Sequence, residues 1–291
     1  MKAIETRALT KYYGSARGIV DVTLTVDRGD MFGFIGPNGA GKSTLIRTLL
    51  GLISPTAGSA SVMGLDVIRD RTELLRQVGY LPSEAAFYGG MKAGELIGLS
   101  AKMRGLDCRD EAKRLCDRLE LDTSKRIDQL SLGNRKKVGI VCALQHKPAL
   151  YVLDEPTGGL DPLMQKEFYT VLKERNDEGA TVFLSSHVLS EIGRYCSSAA
   201  VIREGRILVS DKVAHLGATG VKRVTLRGVS GEIMISEARD VRTENDTVKF
   251  LYSGKATELM RRLSELSFED VSITDPDLEE VFMHYYAKEE G

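Results

Sequence analysis

The residues Gly36-Pro37-Asn38-Gly39-Ala40-Gly41-Lys42-Ser43-Thr44 carry the spacing G-x4-G-K-[ST], which cradles the phosphates of a nucleoside triphosphate. Glycines at 36, 39 and 41 permit backbone angles that a side chain forbids, and they let N–H groups approach phosphate oxygens. In such a loop Lys42 reaches the β- and γ-phosphates and the Ser43 hydroxyl ligates Mg²⁺. A glycine-rich turn can match this spacing by chance, so the flanks decide. Residues 30–35 form an apolar run that reads as a buried strand, and residues 45–50 have helical composition. The loop therefore lies between strand and helix, where the helix adds its positive dipole end.

Further along, the apolar run Leu150-Tyr151-Val152-Leu153 ends in Asp154-Glu155-Pro156. An acidic residue at the carboxyl end of a buried strand is how P-loop enzymes hold Mg²⁺ from the far side, which assigns that task to Asp154. Glu155 projects differently and is the candidate for orienting and deprotonating the attacking water. Two solvated carboxylates at a strand end are the plainer reading, which the upstream P-loop outweighs. Residues 181–185 read as another buried strand, followed by Ser186-His187. A lone histidine is more often structural, but this one stands at a strand end, where a parallel sheet presents its functional loops. Gly158-Gly159-Leu160-Asp161-Pro162 reads as a tight turn with Asp161 as N-cap and Pro162 at the first helical position.

The elements that must position these groups follow from periodicity. Residues 3–9 and 20–26 alternate apolar and polar side chains, with Val20, Val22, Leu24 and Val26 on one face, and so predict two half-buried strands. Between them a loop carries Tyr12 and Tyr13, either a base-stacking aromatic or a surface tyrosine. Residues 51–59 form a loop, 59–63 a strand, and 78–82 a strand stopped by Pro82. Residues 83–147 change to helical character. Ala112, Leu115, Cys116 and Leu119 line one helical face, and residues 133–145 form a further helix. The expectation is an α/β core with a helical insertion.

Composition bounds the class. The 291 residues are 42 % hydrophobic and 28 % charged, with net charge −1, so nothing suggests bulk attraction to nucleic acid or membrane surface. Cys108, Cys116, Cys142 and Cys196 show no C-x-x-C spacing, which predicts reduced thiols of a cytosolic protein and no zinc site. The first residues lack the apolar core of a signal peptide, and no apolar run approaches the ~20 residues that span a bilayer.

Taken together, residues 3 to 214 resemble the ATP-binding subunits of ABC transporters. The resemblance rests on the order P-loop, Leu130-Ser131-Leu132-Gly133-Asn134, Leu153-Asp154-Glu155-Pro156, Gly159-Leu160-Asp161 and Ser186-His187. It implies a P-loop NTPase core, ATP and Mg²⁺ as ligands, and head-to-tail closure with a second ATPase subunit, identical or different. Each site would then combine Lys42, Ser43, Asp154, Glu155 and His187 with Ser131, Gly133 and Asp161 of the other chain. It also implies Tyr13 as the adenine-stacking aromatic, a separate transmembrane permease as partner, and residence at the cytoplasmic face of the membrane.

Two departures stand out. The signature reads LSLGN, with Leu132 and Asn134 in place of glycine and glutamine; Ser131 and Gly133 keep what presentation to a phosphate needs. Ser83 occupies the place of a glutamine that, in the family, senses Mg²⁺ and water, so the resemblance implies Ser83 at the metal site with Ser43 and Asp154; it is too short to act in the same way, which leaves the coupling to run through water or Glu84. No guanine-reading Asn-Lys-x-Asp motif is present. A soluble ABC-type ATPase acting on ribosome or nucleic acid is the alternative. Such proteins usually carry two cores or long coiled coils, whereas this chain has one core and no sustained heptads.

The core is expected at residues 1–215 and a small α+β accessory domain at 222–291. In the latter, Val224/Leu226, Ile233/Ile235, Val248/Phe250/Tyr252 and Val271/Ile273 predict strands. Leu259, Leu263 and Leu266 predict a helix, and Leu278, Val281, Phe282 and Tyr285 a last one. This region has 10 basic and 15 acidic residues and resembles C-terminal extensions of some exporter ATPases, including its Asp275-Pro276-Asp277-Leu278 ending.

Overall fold

The alternating residues near the N-terminus build a hairpin longer than their pattern predicts. β1 (Lys2–Tyr13) pairs antiparallel with β2 (Ala16–Asp27), so Tyr13 closes a strand and does not lie on a loop. Gly14, at φ 61, makes the turn between them. Pairing is irregular near Asp21, which adopts φ 54, and the inward face passes from Val22 to Ile19, leaving Val20 half-buried. The computed structural model describes residues 1–84, 86–88, 90–216, 221–229 and 237–274, and the chain divides into two units, Met1–Asp211 and Lys212–Gly291.

In the first unit the hairpin is followed by β3 (Met31–Ile35), α1 (Lys42–Leu49), β4 (Ala57–Val62), β5 (Leu65–Asp66), α2 (Arg71–Gln77) and β6 (Val78–Leu81). The helical insertion holds α3 (Ala93–Met103), α4 (Arg109–Arg118) and α5 (Leu132–Leu144). Then come β7 (Leu150–Asp154), α6 (Pro162–Asp177), β8 (Thr181–Ser186), α7 (Leu189–Tyr195), β9 (Ser198–Arg203) and β10 (Arg206–Lys212). One sheet has the order β2-β1-β4-β5 and the other β10-β9-β3-β8-β7-β6.

Strands β9, β3, β8, β7 and β6 run parallel. Every residue of β3, β7 and β8 is buried, as expected of strands covered on both faces. Phe32 stacks on Phe183 with ring centroids 5.8 Å apart. Register places Ile35 beside Ser186, and Asp154 beside Ser185, so the carboxyl ends of β3, β8 and β7 form one rim. That rim is where a parallel sheet holds its ligand. Within this unit the insertion is tied to α6 by charge: Glu111 pairs with the buried Arg175, and Arg118 reaches Glu174 at 2.6 Å.

In the second unit α8 (Val213–Leu216) precedes an antiparallel sheet of order β12-β13-β11-β14, made by β11 (Lys222–Arg227), β12 (Ala238–Glu244), β13 (Thr247–Tyr252) and β14 (Asp270–Thr274). Val224, Leu226, Val248, Phe250 and Tyr252 form its core with Leu259 and Leu263 of α9 (Ala256–Ser264). β12 was not expected, because its sequence ARDVRTE has no apolar alternation. The predicted strand at Ile233/Ile235 and the last helix at residues 278–285 lie outside the described residues.

Candidate nucleotide-binding site

The loop of residues 36–41 leaves β3 and enters α1 through Gly41, which holds φ 106. Two of its glycines are required by space. A Cβ at Gly36 would stand 2.5 Å from the Ile202 carbonyl oxygen, and one at Gly41 would stand 2.7 Å from that of Gly18. Pro37, Asn38 and Gly39 are exposed, whereas Ala40 is buried and its carbonyl accepts a hydrogen bond from Gly205 N–H at 2.9 Å. Lys42 is only 6 % exposed; its Nζ donates to Gly36 O at 2.6 Å and Pro37 O at 3.3 Å. The same ammonium lies 3.1 Å from Glu155 Oε1. Thr44, in the first turn of α1, gives its carbonyl to the Thr48 hydroxyl. Tyr13 is 46 % exposed, with Lys11 Nζ over its ring. Its ring edge and the Thr44 methyl both border Gly18, so Tyr13 stands beside the start of α1.

Asp154 ends β7 fully buried, with both carboxylate oxygens engaged. Oδ2 accepts from Ser43 Oγ at 2.7 Å and Oδ1 from Ser185 Oγ at 2.6 Å. Glu155 follows in the left-handed region, φ 48, and its N–H donates to both the carbonyl and the hydroxyl of Ser185 at 3.2 Å. Its side chain thereby turns back toward the loop, where Oε2 meets His187 Nδ1 at 2.7 Å.

His187 is 60 % exposed, and the residues beside it are anchored. Ser186 Oγ donates to Glu191 Oε2 at 3.1 Å, and Tyr169 OH donates to the same oxygen at 2.9 Å. Tyr169 stacks on Tyr195 at 3.8 Å, and burial raises its phenol well above the ordinary range, which keeps it a donor.

Ser43 and Asp154 present two hard oxygen donors 2.7 Å apart, which suits Mg²⁺. Among the described residues there is no cluster of three or more His, Cys, Asp or Glu able to cage a metal. Mg²⁺ needs none, since it is held by one or two protein oxygens together with water and phosphate. Ser83 engages through its backbone: its carbonyl, with that of Pro82, accepts from Lys136 Nζ at 2.9 and 3.3 Å. Lys136 is buried on α5, and burial pushes its ammonium down to about 8 against the opposing pull of Asp154 and Glu155.

The signature residues occupy a helix start. Ser131 N-caps α5, accepting from Asn134 N–H at 3.3 Å. A Cβ at Gly133 would lie 2.6 Å from Gly159 O, so glycine lets the turn of residues 158–161 pack on α5. Asp161 caps α6 through Leu163 N–H and Met164 N–H, at 3.1 and 3.0 Å, with Pro162 following it.

Ser185, Lys136, Tyr169 and Glu191 belong to no motif in the sequence. Lys136 left a signal: it falls on the helical face of Ile140, Ala143 and Leu144, which is buried. Ser185 lay inside an apolar strand with no such mark.

A buried parallel sheet, a glycine loop entering a helix, and a hydroxyl and carboxylate paired across it define a P-loop nucleotide-binding ATPase fold. Residues 19–158 match the family model described as ABC transporter. The chain is 38 % identical over 219 residues to the bacitracin transport ATP-binding protein BcrA of Bacillus licheniformis, covering 73 % of this chain and 71 % of that one. It is 26 % identical over 302 residues to the linearmycin resistance ATP-binding protein LnrL of Bacillus subtilis, covering 97 % of each. Among solved structures, an ATP-binding subunit of an ABC transporter matches with TM-score 0.69 and 34 % identity over 74 % of this chain and 91 % of that one. A dimeric bacterial ABC transporter cassette matches with TM-score 0.64 and 25 % identity over 72 % of this chain and 98 % of that one. The chain belongs to the ATP-binding subunits of ABC transporters, an ATPase family that works with ATP and Mg²⁺. Among the described residues, no helix is long and apolar enough to cross a membrane.

Proposed function

We propose that this subunit drives export by closing on a second ATPase subunit around two ATP molecules and passing that motion to a separate transmembrane permease. The observation that carries the reading is the convergence of Ser43 with Asp154, and of Lys42 and His187 on Glu155. In this reading Lys42 and the 36–41 backbone bind the phosphates, with Thr44 in the same turn, and Tyr13 stacks on the adenine. Ser43 and Asp154 hold Mg²⁺, which supplies charge neutralisation at the transferring phosphate. Glu155 takes the proton of the attacking water while His187 fixes the carboxylate's direction. Ser83 acts through the contact of its carbonyl with Lys136.

Ser131, Gly133 and Asp161 serve the nucleotide of the opposite subunit. Ser131 and Asp161 are exposed, and beside them Leu132 and Leu163 stand 66 % and 75 % exposed, an apolar surface that suits a subunit contact. The ATPase core ends near residue 215, and residues 222–291 form an accessory module. The likeness to bacitracin transport and linearmycin resistance proteins supports an exporter at the cytoplasmic face of the membrane. Affinity purification from detergent-solubilised membranes tests this: a multispan protein should co-purify in stoichiometric amount. Recovery of the ATPase with ribosomes or nucleic acid instead would reject it.

A further inference from the structure

We infer that Ser185 is a positioning residue for hydrolysis, one side chain that aims the Asp154 carboxylate and fixes the turn that directs Glu155. The inference rests on the roles given above to Asp154 and Glu155. Successive residues of an extended strand point to opposite faces, which would send the Glu155 side chain away from the phosphate loop. The chain avoids this by taking φ 48 at Glu155, a conformation that a non-glycine residue keeps only where its surroundings hold it.

Ser185 is what holds it. The residue has no exposed surface and lies on β8 between Phe34 of β3 and Asp154 of β7. Its hydroxyl donates to Asp154 Oδ1 at 2.6 Å and accepts from Glu155 N–H at 3.2 Å, and its carbonyl accepts from the same N–H. Since Ser43 donates to Oδ2, hydroxyls from two separate elements pin the Asp154 carboxylate at both oxygens. The apolar run Thr181-Val182-Phe183-Leu184 would continue more cheaply with an apolar residue, because a buried hydroxyl costs free energy unless bonded. Ser186, one residue on, engages Glu191 and Val188 and leaves this task to Ser185.

Ser185→Ala removes the hydroxyl, and Ser185→Cys keeps the volume with a weak donor, so at least one should fold; thermal melting establishes which. Mn²⁺ binding in the presence of ATP, followed by electron paramagnetic resonance, is expected to weaken about 10- to 100-fold, as when the partner of a metal-binding carboxylate is lost. Single-turnover hydrolysis should slow by about tenfold, while affinity for a fluorescent ATP analogue without divalent cation stays within about twofold. Wild-type Mn²⁺ binding in a folded variant would overturn the inference. Asp154→Asn separates the two levels. If it loses Mn²⁺ while the Ser185 variants do not, Ser185 alone is wrongly assigned. If it binds Mn²⁺ like wild type, the role of Asp154 falls and the inference with it.

Discussion

His187 Nδ1 lies 2.7 Å from Glu155 Oε2, and Lys42 Nζ lies 3.1 Å from the other oxygen of that carboxylate. Glu155 is thus held at one end by the Lys42 ammonium and at the other by an imidazole, on a backbone that is itself turned. His187→Ala should therefore free the carboxylate without removing it. ATP affinity is expected to stay unchanged, while turnover falls about 10- to 100-fold, less than removal of the base itself. A phosphate-release assay beside nucleotide titration checks the split.

Gly133 and Gly98 are both helical glycines, and the space around them predicts opposite outcomes. At Gly133 a methyl group meets backbone, Gly159 O at 2.6 Å, so Gly133→Ala must displace the turn that leads to Asp161. Overpacking of this kind costs about 1–3 kcal/mol, and turnover should fall with it. At Gly98 in α3 nothing lies within 4 Å, so Gly98→Ala should stabilise by about 0.5–1 kcal/mol. Denaturant melts of the two variants measure both signs.

The ion network and the site differ in how far the sequence announced them. The P-loop, Asp154, Glu155 and the Asp161 cap were legible because each depends on local spacing: a glycine pattern, a strand end, or a cap followed by proline. Ser185 was not, because its partner, Asp154, is 31 residues away in sequence and meets it only through the β7–β8 register. Lys136 sits in a polar run, Asn134 to Lys137, that reads as solvent-facing, although α5 is buried from Lys136 to Val141. β12 escaped because an edge strand with exposed side chains has no buried face to write an alternation. Tyr13 reads as a loop residue from sequence for a related reason: its exposure hides its place in the β1–β2 ladder.

His146 gives the protein a defined acid sensitivity. Burial, reinforced by Arg104, pushes its imidazole from 6.5 down to about 4. The folded state thus holds the neutral ring where the unfolded chain binds a proton. The sign follows: the stability is fully present above the unfolded value and is lost as pH falls from about 6.5 toward 4. His146→Gln should flatten that part of the curve. Melting temperatures of both proteins at intervals from pH 7 to 4.5 test it, and parallel curves would show that His146 takes up its proton over the same pH range folded and unfolded.

Glu155, held between Lys42 and His187, is proposed above as the base of this ATPase. Glu155→Gln tests it most directly, because the amide keeps the shape and removes the basicity. Phosphate release under saturating Mg²⁺ and ATP is predicted to fall about 10²- to 10⁴-fold while ATP stays bound. Size-exclusion chromatography should then show an ATP-dependent dimer. Wild-type hydrolysis by the glutamine variant would show that Glu155 is not the base.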